Sequence, residues 1–199
     1  MAKLSPVDWH IIDARVRRLR ESRSLKTASI AFLCLVLQQY FPDLSDDFDE
    51  IITDGSDDRG IDAVHVIERG EQAFIYLFQA KYRDTLATTD KTINETEIHK
   101  IAIFLHELRE QADHLAVCSN FRLQQAAKRI WDLHRRGVLC RYQIVLCSND
   151  QGLSHAARKI LGSSISTFDQ IKYEFYGASD LLRDIASHGQ SASPAQSKL

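Results

Sequence analysis

Residues 60–81 read GIDAVHVIERGEQAFIYLFQAK. Two runs rich in β-branched and aromatic residues predict strands at 61–67 and 73–81. The connection between them is short and contains a glycine, which is typical of a tight turn. The stretch therefore predicts an antiparallel hairpin.

The hairpin places three polar side chains near its open end. A two-residue turn at 69–70 would put Asp62 opposite Leu77. Because side chains alternate across a strand, Asp62, Gln79 and Lys81 would then lie on one face. The other face of the second strand would belong to the core. A slip of one residue would move Asp62 to that face, so the prediction depends on the register.

The rest of the chain alternates helical and strand-like patterns, which predicts an α/β fold with a mixed sheet and an N-terminal helical pair. Helices are predicted at 6–22, 25–41, 93–112, 121–136, 154–161 and 179–186, and further strands at 48–52, 115–118, 142–147 and 171–176. The polar, small-residue composition from His188 onward predicts a disordered tail. These patterns give one domain over 1–187, with its core at about 25–148, and a tail over 188–199.

Composition restricts the classes of partner. The 199 residues include 25 Lys+Arg against 27 Asp+Glu, so no overall positive field gathers nucleic acid. Charge is nevertheless uneven, since 15–26 is strongly basic and 43–58 carries acids without a base. These runs fit either solvated faces or a metal site beside a phosphate-contacting surface. The N-terminus lacks a signal-peptide pattern and no apolar run is long enough to span a bilayer, so we expect a cytoplasmic protein without membrane contact.

The polar residues of the hairpin suit phosphodiester hydrolysis. Such hydrolysis uses hard oxygen ligands to hold a divalent cation, which activates water and polarises the phosphate. Asp62 can supply an anionic oxygen, Gln79 an amide oxygen and Ala80 a backbone carbonyl. Lys81 can position or help deprotonate the water, or stabilise developing charge.

The segment DGSDDRGIDA at 54–63, followed by FQAKY at 78–82, resembles the PD-(D/E)XK signature in its Q-x-K form. Mrr-like enzymes have similar motifs. The N-terminal region of abortive-infection phage-resistance (AIPR) proteins is more similar still, and FYGASDL at 175–181 resembles the segment after the nuclease core in those proteins.

This resemblance implies a restriction-endonuclease-like fold, in which helices flank a mixed sheet, and a metal-dependent endonuclease. It implies that Asp62 is a metal ligand, that Gln79 stands at the second acidic position and that Lys81 is the catalytic lysine. Mg²⁺ or Mn²⁺ would be the cofactor and DNA, in preference to RNA, the substrate, in phage defence. The AIPR likeness further implies additional domains in a longer protein. A homodimer is left open.

The chain departs from the Q-x-K pattern in its charge. Gln79 removes one negative charge, and the helix at 25–41 contains no acid, with Leu33 or Gln38 where a glutamate is expected. The acids that could compensate are Asp54, Asp58, Glu50 and Glu21. The alternative function is therefore a catalytically inactive nuclease-like fold that binds nucleic acid or protein.

Two further features have competing interpretations. The segment 54–60 is either part of the site or only an Asp/Gly turn, and it lacks the downstream glutamate of a calcium-binding loop. The basic helix at 121–136 is either a phosphate-contacting patch or a solvated face. The patch would consist of Lys128, Arg129, Arg135 and Arg136.

Overall fold

The helices and strands follow the predicted order closely. A computed structural model describes residues 3–44, 48–117, 120–166 and 170–191. The elements are α1 (Pro6–Ser22), α2 (Ala28–Tyr40), β1 (Ala63–Arg69), β2 (Gln72–Lys81), a 3₁₀ helix (Leu86–Asp90), α3 (Glu95–Arg109), α4 (Asp113–Ala116), α5 (Phe121–Arg135), β3 (Leu139–Ser148), α6 (His155–Ile165), β4 (Ile171–Gly177) and α7 (Ala178–Ser191).

Polar side chains fix where the helices begin. The Ser5 hydroxyl accepts a hydrogen bond from the Asp8 amide at 3.1 Å, and Pro6 occupies the first position of α1, as its preset φ favours. Asn94 caps α3 in the same way by accepting from the Glu97 amide at 3.3 Å. This cap places Glu97 in the first turn of α3, beside the end of the hairpin.

The four strands form one mixed sheet in the order β1-β2-β3-β4. β1 and β2 are antiparallel, whereas β2, β3 and β4 are parallel. Hydrophobic clusters cover both faces, α3–α6 contributing to one cluster and α1, α2 and α7 to the other. Alternate residues of β2 enter different cores, with Leu77 in the first and Phe78 in the second, as expected where helices cover both faces. The predicted α/β class, mixed sheet and N-terminal helical pair are confirmed.

The register of the hairpin differs from the predicted one. Ala63 pairs with Phe78 and Arg69 with Gln72, so the strand positions are shifted by two residues. Asp62 precedes the paired residues, and its backbone and side chain hydrogen-bond to Phe78 and Ala80 rather than lying opposite Leu77. The predicted turn position was wrong because either glycine-containing pair, 69–70 or 70–71, can make the turn. A shift of two residues keeps every side chain on its predicted face, because the pleat repeats every two residues.

Two predicted strands are wrong. Residues 48–51 form a turn, in which the Phe48 carbonyl accepts from the amides of Ile51 and Ile52 at 3.1 and 3.0 Å, and Ile52 makes a single bridge to Ala63. These local hydrogen bonds take up the groups that a strand would pair. Leu115 lies in the one-turn helix α4 with its side chain fully buried. Of that predicted strand, 115–118, Ala116 also lies in α4 and Val117 follows it, whereas 118 lies outside the described residues.

The C-terminal part of the chain extends the fold. β4 completes the sheet beyond the predicted core, and α7 packs on the second cluster through Leu181 and Ile185. α7 continues to Ser191, past the predicted start of the tail at 188, and 192–199 lie outside the described residues. Within the described ranges, no helix combines the length and hydrophobicity needed to cross a membrane.

Candidate functional site

Asp62 directly precedes β1, and hydrogen bonds with the backbone hold both its main chain and its carboxylate in place. Its amide donates to the Phe78 carbonyl at 2.8 Å, and the Ala80 amide donates to Asp62 Oδ2 at 2.6 Å. Its own carbonyl accepts from the amides of Thr53 and Asp54 at 2.8 and 3.1 Å. The same residue therefore holds the end of β2 and brings the acidic segment alongside.

The loop 54–60 folds back so that the Asp58 carboxylate lies near the Asp62 carboxylate. Asp58 Oδ1 accepts from the Gly60 amide at 2.8 Å, and the Asp58 carbonyl accepts from the Ile61 amide at 2.9 Å. Gly60 has a φ of +75°, and a Cβ there would lie 2.9 Å from Lys100 Cβ. The predicted Asp/Gly turn chemistry is thus present, and it also assembles the acidic side chains.

Three carboxylates converge at the end of the hairpin. One oxygen from each of Asp54, Asp58 and Asp62 lies within 4.8 Å of the others. Opposite ligands of Mg²⁺ are about 4.2 Å apart and adjacent ligands about 3.0 Å, so closure around the ion would require some of these oxygens to approach one another by up to roughly 2 Å. Asp54 is exposed and the other two are partly buried. Because exposed acidic groups are common without a metal, the triad alone is only a candidate site.

Burial and repulsion from neighbouring carboxylates disfavour the charged forms of Asp62 and Asp54. Desolvation, followed by the charges of Asp54 and Asp58, raises the pKa of Asp62 from 3.8 to about 7, against the lowering effect of the Ala80 amide. Desolvation and the charge of Asp58 also raise the pKa of Asp54, while Lys26 lowers it. A bound cation would relieve this repulsion.

Gln79 contributes a buried oxygen without a partner. Its side chain is 4% exposed, and Oε1 has no hydrogen-bond partner among the described residues. Nε2 makes a long contact of 3.4 Å with the Ala80 carbonyl. Leaving a buried amide oxygen unpaired costs about 1–3 kcal/mol, so a ligand for that oxygen would stabilise the protein.

Lys81 is held by an acid that the sequence did not reveal. Its Nζ lies 3.4 Å from Glu97 Oε1, while Lys100 Nζ lies 3.2 Å from Glu97 Oε2. Burial acts to raise the pKa of Glu97, but the hydrogen bond from Lys100 and the charge of Lys81 outweigh it and leave the pKa below its ordinary value. An acid three residues after Asn94 is typical of a helix start, so nothing in the sequence singled Glu97 out.

These residues line one pocket of about 260 Å³. α2 contributes Ser29 and Leu33 to the lining but no acid, and Gln38, Glu50 and Glu21 are absent from it. Of the four acids considered as compensation for Gln79, the pocket therefore contains Asp54 and Asp58. The lining consists of Ser29, Leu33, Asp54, Asp58, Gly60, Asp62, Gln79, Ala80, Lys81, Tyr82, Glu97 and Lys100.

The basic patch predicted on α5 does not join this pocket. Arg129 and Arg136 form ion pairs with Glu68 at 3.4 and 3.0 Å, and Arg135 pairs with Asp132 at 3.3 Å. Glu68 lies at the closed end of the hairpin, roughly 20 Å from Asp62 at the rise of a β-strand. The charge of these arginines is partly neutralised, which favours the solvated-face interpretation.

No protein family matches the chain, and no similar protein was found among the curated proteins or the solved structures.

Proposed function

We propose that the chain is a divalent-metal-dependent endonuclease of the restriction-endonuclease-like class that cleaves DNA phosphodiester bonds, in phage defence as the AIPR likeness implies. One observation carries the proposal. The carboxylates of Asp54, Asp58 and Asp62 lie within 4.8 Å of one another, and their pocket is also lined by Lys81 and by Gln79, whose buried side-chain oxygen has no partner among the described residues. Metal ligands and a cation therefore lie around one small cavity.

The donor set fits Mg²⁺ or Mn²⁺ because it offers only oxygen. The three carboxylates would be the anionic ligands and Gln79 Oε1 a neutral one, and Ala80, whose carbonyl could add a further oxygen, lines the same pocket. Hard divalent cations prefer such oxygens to nitrogen or sulfur. A bound ion would polarise a phosphate oxygen and lower the pKa of an attacking water.

The side chains have separable roles in this reaction. Lys81 places a positive charge where the phosphate gains negative charge, and it can orient the water that attacks. The Glu97 carboxylate, whose pKa Lys100 and Lys81 hold below its ordinary value against the effect of burial, lies 3.4 Å from the Lys81 ammonium and would hold it in place. The Ala80 amide orients the Asp62 carboxylate. Glu97 is thus a positioning residue in this scheme, whereas Lys81 is catalytic.

Cleavage of supercoiled plasmid and of circular single-stranded DNA tests the proposal. With Mg²⁺ or Mn²⁺ the protein should cut at least one of them, and Asp62→Asn and Lys81→Ala should each reduce the rate at least 100-fold. Asp90→Asn and Lys3→Ala are matched controls, because these residues form an exposed ion pair outside the pocket. Cutting of neither substrate, or equal cutting by wild type and both site variants, would overturn the proposal.

One observation favours a second function, an inactive nuclease-like binding module. Leu33 rather than an acid faces the pocket from α2, so the site has fewer charged ligands than its resemblance implies. A calorimetric titration distinguishes the two functions. No heat of Mn²⁺ binding, together with retained binding of nucleic acid or protein, would identify the module.

A further inference from the structure

A second cleft opens beside the acidic pocket and shares Asp54 with it. The cleft has a volume of about 810 Å³, within the range of sites that enclose a small ligand. Its walls come from the α1–α2 connection, α2, the segment 48–54 and the start of α5. The lining consists of Arg23, Ser24, Leu25, Lys26, Ile30, Cys34, Phe48, Asp49, Ile52, Thr53, Asp54, Asn120 and Arg122.

Hydrogen bonds join this cleft to the acidic loop. Asn120 Nδ2 donates to the Thr53 carbonyl at 2.6 Å and to the Ser56 carbonyl at 3.3 Å. Arg122 Nη1 donates to the Ile52 carbonyl at 3.3 Å. The cleft wall and the segment that contains Asp54 are therefore one connected structure, so a ligand in the cleft would lie against the candidate metal site.

Three cations line the cleft, namely Arg23, Lys26 and Arg122. Lys26 and Arg122 are exposed. The opposing carboxylates are Asp49 and Asp54. Because Asp54 belongs to the metal-binding set, a bound divalent cation would offset its charge. Even without that ion, three cations against two carboxylates leave the lining with a net positive charge that favours phosphates, and the ion would increase it.

The inner wall of the cleft is apolar. A groove that binds only the sugar-phosphate backbone of duplex DNA would not require an apolar wall. Cys34, Phe48 and Ile52 form its buried base, with at most 8% of each residue exposed, and Leu25 and Ile30 are its partly exposed apolar side chains. The Arg23 guanidinium lies 5.7 Å from the centre of the Phe48 ring, which gives a flat cationic surface backed by an aromatic ring. Such surfaces stack unpaired bases. The bases of a duplex are stacked on one another and do not reach a wall of this kind.

We propose that this cleft binds an unpaired nucleotide next to the scissile phosphate, so that the substrate is single-stranded DNA or a single-stranded segment within a duplex. Lys26 and Arg122 would contact the phosphates, and the base would lie against Arg23 and the apolar wall. The inference rests on the proposed function only in that the bound strand would be cleaved. Binding itself needs neither metal nor cleavage.

Fluorescence anisotropy in EDTA tests this proposal, with a labelled 12-nucleotide oligothymidine compared with a blunt 12-base-pair duplex. We expect at least ten-fold tighter binding of the single strand. Lys26→Ala and Arg122→Ala should each reduce the slope of log affinity against log salt by about 0.7. Lys128→Ala and Arg135→Ala remove the same charges from α5 outside the cleft and should leave the slope unchanged.

A single strand whose central nucleotides lack bases tests the apolar wall. We expect its affinity to fall at least about five-fold, as for the loss of one stacked base. Equal or tighter binding of the duplex, an unchanged slope in both cleft variants, or equal affinity of the abasic strand would overturn the proposal. Circular dichroism would check that each variant is folded.

The assay also separates this proposal from the nuclease proposal. Because EDTA removes the metal, a protein without nuclease activity can still bind single strands through Lys26 and Arg122. In that case the cleft proposal holds and the nuclease proposal fails. An active nuclease that binds duplex DNA in preference gives the opposite result.

Discussion

Replacement of Asp62 by asparagine should stabilise the metal-free protein at alkaline pH. Burial and the neighbouring carboxylates raise the pKa of Asp62 to about 7, so the folded state binds a proton that the unfolded state has released. Stability therefore decreases as the pH rises from 3.8 to about 7, and the whole penalty applies above that window. Asparagine has no charge to desolvate, and its side-chain oxygen can still accept from the Ala80 amide.

The magnitude follows from the size of the pKa shift. The difference between 3.8 and about 7 corresponds to about 4 kcal/mol, at roughly 1.4 kcal/mol per pKa unit. Because Asp62 is only partly buried, relaxation would reduce this value, and we expect Asp62→Asn to gain about 2–4 kcal/mol at pH 8. The gain should shrink toward zero as the pH approaches 4.

Urea denaturation in EDTA at several pH values between 4 and 8 measures this effect. Asp90→Asn is the control, because Asp90 forms an exposed ion pair and its loss should change stability by less than about 1 kcal/mol. Mg²⁺ at ten times its dissociation constant should add about 1.4 kcal/mol to the wild type and less to Asp62→Asn. A variant no more stable than wild type at pH 8, or one whose advantage is independent of pH, would refute the reasoning.

Other predictions concern the site and the packing elsewhere in the fold. Gly60→Ala should reduce the free energy of unfolding by about 2–3 kcal/mol, because a Cβ at φ +75° would lie 2.9 Å from Lys100 Cβ. Gly70→Ala, at φ +61° in open space, should reduce it by only about 1 kcal/mol, and equal losses in thermal unfolding would contradict the close contact. Asp150→Ala should reduce the free energy of unfolding in urea by about 3–5 kcal/mol, because Arg83, whose side chain is 14% exposed, would lose the carboxylate with which it forms a 2.7 Å ion pair. A loss below about 1 kcal/mol would count against this role of the ion pair. Glu97→Gln should lower kcat more than it changes KM, because Lys81 loses its anionic partner at 3.4 Å; unchanged kcat would remove Glu97 from the site.

The hairpin was predictable because its pattern is local. β-branched and aromatic runs around a glycine-containing turn specify two paired strands, and the structure contains them. The side chains of Asp62, Gln79 and Lys81 line one pocket even though the pairing is shifted by two residues. The alternation of the pleat determines which face a side chain takes, whereas the turn determines its exact partner.

The rest of the site depends on contacts between segments distant in sequence. Glu97 reaches Lys81 from α3, and its position in the first turn fits helix capping equally well. The strand-like run at 48–52 folds as a turn because the Phe48 carbonyl accepts local hydrogen bonds. The larger cleft combines residues from four parts of the chain, and no local pattern predicts such a combination.

Anomalous diffraction from crystals soaked in Mn²⁺ tests most directly whether this pocket holds a metal. We predict a peak among the carboxylates of Asp54, Asp58 and Asp62, with Gln79 Oε1 as a neutral ligand at about 2.0–2.6 Å, and no peak in Asp62→Asn crystals. A wild-type pocket without an ion at saturating Mn²⁺, or a peak of equal height in Asp62→Asn crystals, would contradict the metal site and with it the nuclease proposal.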